Sequence, residues 1–474
     1  MEESLRLSQV VATLSHALDV TEGEPPGHAV RTCLIGMRIG GRIGLPGEER
    51  SALFYALLLK DAGCSANAAR LSALFDAPDQ VAKARMKRID WTRPGALTLY
   101  GVRTVAPSGS PLKKLGRLRE LGREEGVTRS LMAARCERGA DIARLIGLPA
   151  AAAEAIAALD EHWDGGGHPL GLAGDAIPLL GRILCLAQTV EVFARMAGRT
   201  GALEMAARRS GRWFDPALVE ALRSLAGDAA LWDQLTGDRT PDVRAFEPAE
   251  HVVVAGPERL DRVARAFALV VDAKSPYTAR HSERVAEIAV GIGRALGFAP
   301  EPLAELRRAG LLHDLGKLAV PNVVLDKPGR LTDDEFRIVT GHPALSERII
   351  AGVGPFERIA RLAGAHHERL DGRGYFRGSP GTALDQSARV LAVADVCEAL
   401  SADRPYRAGL DPDRVFEIIG EQAGTALCAT AVDGLRASWP QPEPEFTLDF
   451  APPPAVRRSP GAAARSPGSG SSRR

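Results

Sequence analysis

The sequence lacks the features that would assign it quickly to nucleic acid or to a membrane. Its 60 Lys and Arg residues are nearly balanced by 59 Asp and Glu residues, so no overall field steers the chain toward either partner. It contains no uninterrupted apolar segment long enough to span a bilayer, and its first residues lack the basic region and apolar run of a signal peptide. We therefore expect a cytoplasmic protein with neither a membrane nor polymeric nucleic acid as partner.

Paired cysteines and strand-like alternation are missing as well. The six cysteines are scattered and contain no Cys-x-x-Cys pair, so reduced, packed thiols are expected.

Apolar residues recur with helical spacing, as Val285, Ile288 and Ile292 do after His281. The pattern predicts an all-α fold of two helical bundles in series.

A tandem duplication organises the chain, which at 474 residues is long enough for two domains. The segment that begins at Leu7 aligns without a gap to the segment that begins at Leu260. In that register His28 meets His281, and farther along Asp61 meets Asp314. The repeat predicts two related helical domains.

The predicted boundaries follow from this repeat and from composition. The first domain is expected over residues 1–245 and the second over residues 256–440. Residues 441–474 are rich in Pro, Gly, Ser and Arg, cannot bury enough apolar surface to fold, and are predicted to form a disordered tail. The first copy also carries a Lys- and Arg-rich excess near residues 75–134. An anion-binding flap would account for this charge, but a solvated loop and helix is the favoured interpretation.

Histidines and aspartates are concentrated in apolar helical segments of the second copy. A lone histidine there is usually a packed core residue, but a set that includes buried carboxylates needs compensation, because burying a bare carboxylate costs roughly several kcal/mol. A bound metal removes that cost. The candidate residues are His281, His313, Asp314, His342, His366, His367 and Asp395.

Five imidazoles and two carboxylates are more ligands than one ion needs. The adjacent pairs His313-Asp314 and His366-His367 can each reach toward two ions. Nitrogen and oxygen ligands without thiolate favour Fe or Mn, with Mg, Ni or Zn as alternatives. Two divalent ions roughly 3.5–4 Å apart suit in-line attack on phosphorus, so the set predicts hydrolysis of a phosphate ester.

The order of these motifs resembles a known family. The sequence presents His, His-Asp followed by Gly-Lys, His, His-His-Glu, Asp-Gly-x-Gly-Tyr and Asp, as in the HD superfamily of metal-dependent phosphohydrolases and its HD-GYP branch. The resemblance covers residues 258–438 closely and residues 5–225 in degraded form. It implies an all-α fold with two or three metals and, as the best-known role, cyclic di-GMP phosphodiesterase activity.

The same resemblance assigns roles to single residues. It implies that all seven candidates above are metal ligands and that Asp314 is also catalytic. Lys317 is expected near the scissile phosphate. Tyr375 is expected at the substrate. Arg404 and Arg407 resemble the phosphate-holding basic residues of the family; the alternative is a helix terminus with solvated arginines.

Two departures from the family pattern affect these expectations. Some members hold a third metal with a glutamate one turn before the first histidine, where this chain has Tyr277, so two metals are expected. The signature Gly-Tyr-Pro reads Gly374, Tyr375 and Phe376 here. Loss of the proline removes a fixed φ from the loop, which leaves the metal site intact but the substrate preference open.

The first copy has lost most of the ligand set. The matching positions are His28, Lys60, Asp61, Arg135, Leu159, Asp160 and Gln188. Lys60 and Arg135 would repel a metal ion and pair with Asp61 instead. We expect a non-catalytic domain that serves in regulation or pairing.

The sequence as a whole predicts a bacterial signalling hydrolase. Its expected substrate is a nucleotide second messenger, cyclic di-GMP or a related nucleotide. A signalling protein or a second copy of the chain, bound through the degenerate domain, is the expected protein partner. The alternatives are another HD-type nucleotide phosphohydrolase and a non-catalytic HD-domain regulator that binds a partner or a nucleotide.

Overall fold

The computed structural model describes residues 5–107, 109–124, 126–402 and 408–440. Within these ranges the chain is helical, and its β-structure is limited to isolated bridges. The predicted all-α class is confirmed. The helices are α1 (Leu7–Thr21), α2 (His28–Arg42), α3 (Gly47–Leu59), α4 (Ala68–Phe75), α5 (Asp79–Met86), α6 (Pro94–Thr104), α7 (Pro111–Leu121), α8 (Val127–Ile146), α9 (Ala150–Ala157), α10 (Leu179–Arg209), α11 (Pro216–Ser224), α12 (Ala229–Thr236), α13 (Pro257–Asp272), α14 (His281–Ala295), α15 (Pro300–Leu312), α16 (Asn322–Leu325), α17 (Asp333–Thr340), α18 (His342–Ala351), α19 (Glu357–Ala365), α20 (Gln386–Ser401), α21 (Pro412–Gln422) and α22 (Ala429–Ala437).

The duplication read from the sequence is visible in the packing. In the first half α2 packs against α3 and α10, and α9 packs against α3, α8 and α10. In the second half α14 packs against α15 and α20, and α19 packs against α15, α18 and α20. The two sets correspond helix by helix, so the chain contains two bundles of the same design.

The two bundles share one hydrophobic core. Helix α1 of the first bundle packs against α18 and the short 3₁₀ helix Leu315–Ala319 of the second, and α13 packs against α8. The connecting segment returns to the start of the chain, where the Leu7 N–H donates to the Val253 carbonyl at 2.8 Å. The division into residues 1–245 and 256–440 remains a prediction, while residues 441–474 lie outside the described residues.

Membrane-spanning helices are absent from the part of the chain that the structure describes: none there has both the length and the apolar character required. The six cysteines are all buried and free of disulfides, in agreement with the expected packed thiols.

The basic excess near residues 75–134 is only partly a solvated surface. Helix α7 buries none of its residues, which fits that interpretation. In α5, however, Lys83 is buried, and the side chain of Lys87 just after the helix is only 11% exposed. The solvated interpretation is therefore wrong for these two lysines, because both pair with buried carboxylates.

Candidate metal centre

Helix ends bring the predicted ligands of the second bundle to one place. His281 is the first residue of α14 and His342 the first of α18, whereas His313 and His366 each follow the last residue of α15 and α19. Asp395 projects from the middle of α20. All seven predicted ligands belong to groups of three whose donor atoms lie within 4.8 Å of one another. His367 and Asp395, which belong to different groups, also approach each other at 3.7 Å.

A glycine allows two of these segments to approach each other. A Cβ atom on Gly316 would lie 2.1 Å from the His342 carbonyl oxygen, so no other residue fits at that position without a shift of the backbone. Gly63 occupies the equivalent position in the first bundle, 1.9 Å from the Arg135 carbonyl oxygen by the same measure. The close contact two residues after Asp314, and after Asp61 in the first copy, is thus part of the fold of both copies.

Backbone carbonyls orient three of the imidazoles. The Nδ1 atom of His313 lies 2.7 Å from the Gly310 oxygen, and that of His342 lies 2.7 Å from the Val339 oxygen. His366 makes the same contact with the carbonyl of Ala363 at 2.5 Å. Because a carbonyl can only accept, each Nδ1 carries the proton and each Nε2 presents a lone pair when the ring is neutral.

The Nε2 atoms of four imidazoles, those of the three above and of His281, surround the carboxylate of Asp314. Its Oδ2 atom lies 3.3 Å from His281 Nε2 and 3.4 Å from His313 Nε2. Its Oδ1 atom lies 3.2 Å from His342 Nε2 and 3.7 Å from His366 Nε2. The carboxylate therefore stands between two imidazole pairs and offers one oxygen to each.

The arrangement fits bound cations. The Nε2 atoms of His342 and His366 face each other at 3.1 Å, and both of their Nδ1 protons are already used by carbonyls, so the facing lone pairs repel. Asp314 Oδ1 is buried and accepts no hydrogen bond from the described residues. A cation between these atoms satisfies all three at once.

Two three-residue groups could each hold an ion, with Asp314 between them. One group is His281, His313 and Asp395, and the other is His342, His366 and His367. The second group consists of neutral ligands, because burial lowers the pKa of His366 and of His367 well below the usual value.

Lys317 lies beside the same carboxylate. Its Nζ atom is 2.6 Å from Asp314 Oδ2, and 19% of its side chain is exposed to solvent. Burial disfavours the charge of Asp314, but His313 and Lys317 outweigh it and lower its pKa well below the usual value. A lysine at this position can neutralise a phosphoryl oxygen that approaches the centre from solvent.

Two glutamates support the centre, and sequence reasoning missed both roles. Glu398 contacts the Nδ1 atom of His281, which fixes the ring from behind. Glu368 accepts hydrogen bonds from the backbone N–H groups of Arg377 at 2.6 Å and Ser379 at 2.8 Å, and so shapes the glycine-rich loop. The sequence signal for Glu398 is its position three residues after Asp395. In the first copy Glu191 lies three residues after Gln188, the counterpart of Asp395.

The loop with the Gly-Tyr-Phe signature borders the centre. The ring of Tyr375 lies 4.5 Å from the ring of His367, and 38% of the residue is exposed. The Arg377 guanidinium lies over Phe376 at 4.5 Å. Tyr375 is therefore placed where it can contact a substrate, whereas Arg404 and Arg407 lie outside the described residues.

The equivalent site of the first bundle is filled by side-chain cations. Lys60 pairs with Asp61, and Arg135 lies 3.2 Å from Asp61 and 3.4 Å from Asp160. Lys87, from the insert, adds a third cation 3.7 Å from Asp61. The ion pairs expected from Lys60 and Arg135 are present, and Lys87 was missed because it lies outside the repeat.

Comparison with known proteins identifies the family to which the chain belongs. A family profile described as HD domain matches residues 111–218 and 265–428, one segment in each bundle. The 3'3'-cGAMP-specific phosphodiesterase 3 of Vibrio cholerae serotype O1 is 41% identical over 427 residues, which cover 90% of this chain and 93% of that protein. The chain belongs to the HD family of metal-dependent phosphohydrolases, in its HD-GYP branch.

Two further relatives agree with this assignment. The cyclic di-GMP phosphodiesterase response regulator RpfG of Xanthomonas campestris pv. campestris is 36% identical over 180 residues, which cover 38% of this chain and 47% of that protein. A crystal structure of a cyclic GMP-AMP specific phosphodiesterase of V. cholerae is 36% identical with a TM-score of 0.62, and the match covers 92% of this chain and 98% of that one. That likeness extends over both bundles, so the tandem arrangement is shared.

Proposed function

We propose that this chain is a metal-dependent phosphodiesterase that opens a cyclic dinucleotide, and that 3'3'-cGAMP is its preferred substrate. The observation that carries the proposal is the position of Asp314 between two imidazole pairs, one oxygen toward each. Two divalent ions in such a centre supply charge neutralisation at phosphorus and an activated water. Fe or Mn is proposed, since the ligands are nitrogen and oxygen atoms only.

The protein's own side chains would bind and orient the substrate. Asp314, His281 and His342 would hold the ions that bind the reacting phosphodiester, and Lys317 would neutralise charge on one of its oxygens. Tyr375, half exposed beside His367, would pack against a base or ribose. Arg404 and Arg407 are proposed to bind the phosphate that is not cleaved.

The choice among cyclic dinucleotides rests on how far each likeness extends. The relative named for 3'3'-cGAMP matches nearly the whole chain at 41% identity, while the relative named for cyclic di-GMP matches 38% of it. Phe376 in place of the usual proline is a change in the loop that borders the centre. The extent of the likeness favours 3'3'-cGAMP, and the change at Phe376 is compatible with a substrate other than cyclic di-GMP.

The test is hydrolysis of a substrate panel by the purified chain loaded with Fe or Mn. We expect 3'3'-cGAMP to be opened with a kcat/KM at least about tenfold above that for cyclic di-GMP and cyclic di-AMP, equivalent to about 1.4 kcal/mol of discrimination. Asp314→Ala is the control and should lose both metal and activity. Preference for cyclic di-GMP would overturn the assignment of 3'3'-cGAMP as the substrate. A fully metal-loaded chain that cleaves none of the three would overturn the assignment of phosphodiesterase activity.

A further inference from the structure

Helix α5 of the insert is fastened to the second bundle by a buried ion pair. We propose that Asp79 and Lys274 are positioning residues, which hold in place two of the segments that border the metal centre, the one before His281 and the one after Asp314. The catalytic part of this proposal rests on the phosphodiesterase function proposed above; the structural part does not. According to this proposal, the degenerate first bundle supports the metal centre of the second bundle by holding these segments in position.

Asp79 is the central member of the contact. Its Oδ2 atom lies 3.3 Å from Lys274 Nζ and 3.3 Å from Lys83 Nζ, and its Oδ1 atom accepts the Asn322 N–H at 3.2 Å. The exposed fraction is 0% for Asp79 and 1% for Lys274. Charges buried this deeply cannot separate without leaving one of them unpaired, so the contact is rigid.

The two partners of Asp79 in the second bundle, Lys274 and Asn322, each lie in a segment next to a candidate metal ligand. Lys274 lies between α13 and α14, in the segment that ends at His281, the first residue of α14. The Asn322 side chain donates to the Lys274 carbonyl at 2.7 Å, which ties this segment to the chain that follows Asp314. The two segments are therefore joined to each other and to α5.

Gln80 adds a second attachment on the same helix. Its Nε2 atom lies 3.4 Å from the carbonyl oxygens of Leu318 and Ala319, the residues that immediately follow Lys317. Helix α5 thus contacts the segment after the His-Asp pair at two points. A shift of α5 would move the segments that hold His281, Asp314 and Lys317.

The other end of α5 is anchored in the cation-filled site of the first bundle. Lys83 lies 3.9 Å from Glu22, and Lys87 lies 2.9 Å from Glu22 and 3.7 Å from Asp61. Gly23, with φ +69°, lets the chain pass close to α5, because a Cβ atom there would lie 2.5 Å from the Gln80 carbonyl oxygen. Alternating charges connect Asp61, the counterpart of Asp314 in the first copy, to Lys274 of the second.

The experiment compares Asp79→Ala with the unaltered full chain. Amide hydrogen exchange should rise in segments 273–282 and 317–326, Mn affinity should fall roughly tenfold or more, and kcat should fall while KM changes little. Affinity and exchange are measured without substrate, so they remain informative even if no cyclic dinucleotide is cleaved.

Asp215→Ala is the matched control, because Asp215 is also buried, caps α11 and pairs with Arg182 at 2.8 Å. It should lower the melting temperature without changing Mn affinity or exchange in the two segments. If Asp79→Ala does not fold, Gln80→Ala removes only the two 3.4 Å contacts and should show the same changes more weakly. A lower melting temperature with unchanged Mn affinity, exchange and kcat in the folded Asp79 or Gln80 variant would overturn the proposal.

Discussion

His28 Nδ1 lies 2.5 Å from Glu191 Oε2 in the first bundle, and His281 meets Glu398 in the same manner in the second. Of these two histidines, only His281 belongs to a group of side chains that could hold a metal among the described residues. The histidine–glutamate pair is therefore a feature of the fold that persists when the ligand set is lost. In the second bundle it orients the imidazole that faces Asp314.

Glu398→Gln should weaken metal binding and leave the fold largely intact. The amide can no longer accept as strongly from His281 Nδ1, and the loss of such an outer partner typically costs about 10–100-fold in metal affinity. Metal titration with Mn, followed by metal analysis of the dialysed protein, measures the change. The equivalent Glu191→Gln in the first bundle should leave Mn affinity within about twofold. Equal losses in the two variants would contradict separate roles for the two copies.

Glu191→Gln should also change the acid stability of the chain. Burial raises the pKa of Glu191, but His28 and Arg31 outweigh this effect and lower it to about 2, from an ordinary value of 4.5. A carboxylate whose pKa is lowered by folding stabilises the protein above its unfolded pKa and loses that contribution as pH falls through its folded pKa. The contribution is on the order of 3 kcal/mol at pH 7.

Denaturant unfolding of both proteins between about pH 7 and pH 3 tests this linkage. The glutamine variant should be less stable at neutral pH, and the difference from the unaltered chain should shrink as the pH falls below about 4.5. A difference that stays constant over the whole range would show that the Glu191 charge does not contribute.

Lys317→Ala should lower the rate of phosphodiester cleavage without removing metal. The Lys317 ammonium lies 2.6 Å from Asp314 Oδ2 and keeps access to solvent. Loss of one electrostatic donor to the transition state commonly costs about 100-fold in kcat. Lys327→Ala serves as a control, since Lys327 is also partly exposed but pairs with Glu335. Retained kcat in Lys317→Ala, or loss of bound Mn, would assign Lys317 to another role.

The convergence of the seven candidate residues on one place was predictable from sequence because chemistry and spacing coincide. His281, His313 and His342 stand at helix ends within apolar segments, where a neutral core residue would ordinarily be found. The alignment of the two copies showed which positions correspond between them. Glu398 makes a contact that spacing alone does not specify. It was detectable only as a residue shared with the first copy, at Glu191.

The contacts of α5 were not predictable in the same way. Asp79 and Lys83 lie in an insert with no counterpart in the second copy, so the repeat says nothing about their partners. Charge composition favoured a solvated surface, but tertiary packing determined the outcome, because Glu22 and Lys274 come from elements far away in the chain. Sequence patterns describe local periodicity, whereas an ion pair between bundles depends on how the bundles dock.

The most direct test of the account is anomalous diffraction from crystals of the full chain, measured at the absorption edge of the bound Fe or Mn. Two peaks about 3.5–4 Å apart are expected beside Asp314, one near His281 and one near His342, and none is expected at Asp61 in the first bundle. A strong peak at Asp61, or no peak at Asp314 in a protein that cleaves cyclic dinucleotides, would contradict the assignment of the chemistry to a metal centre in the second copy alone.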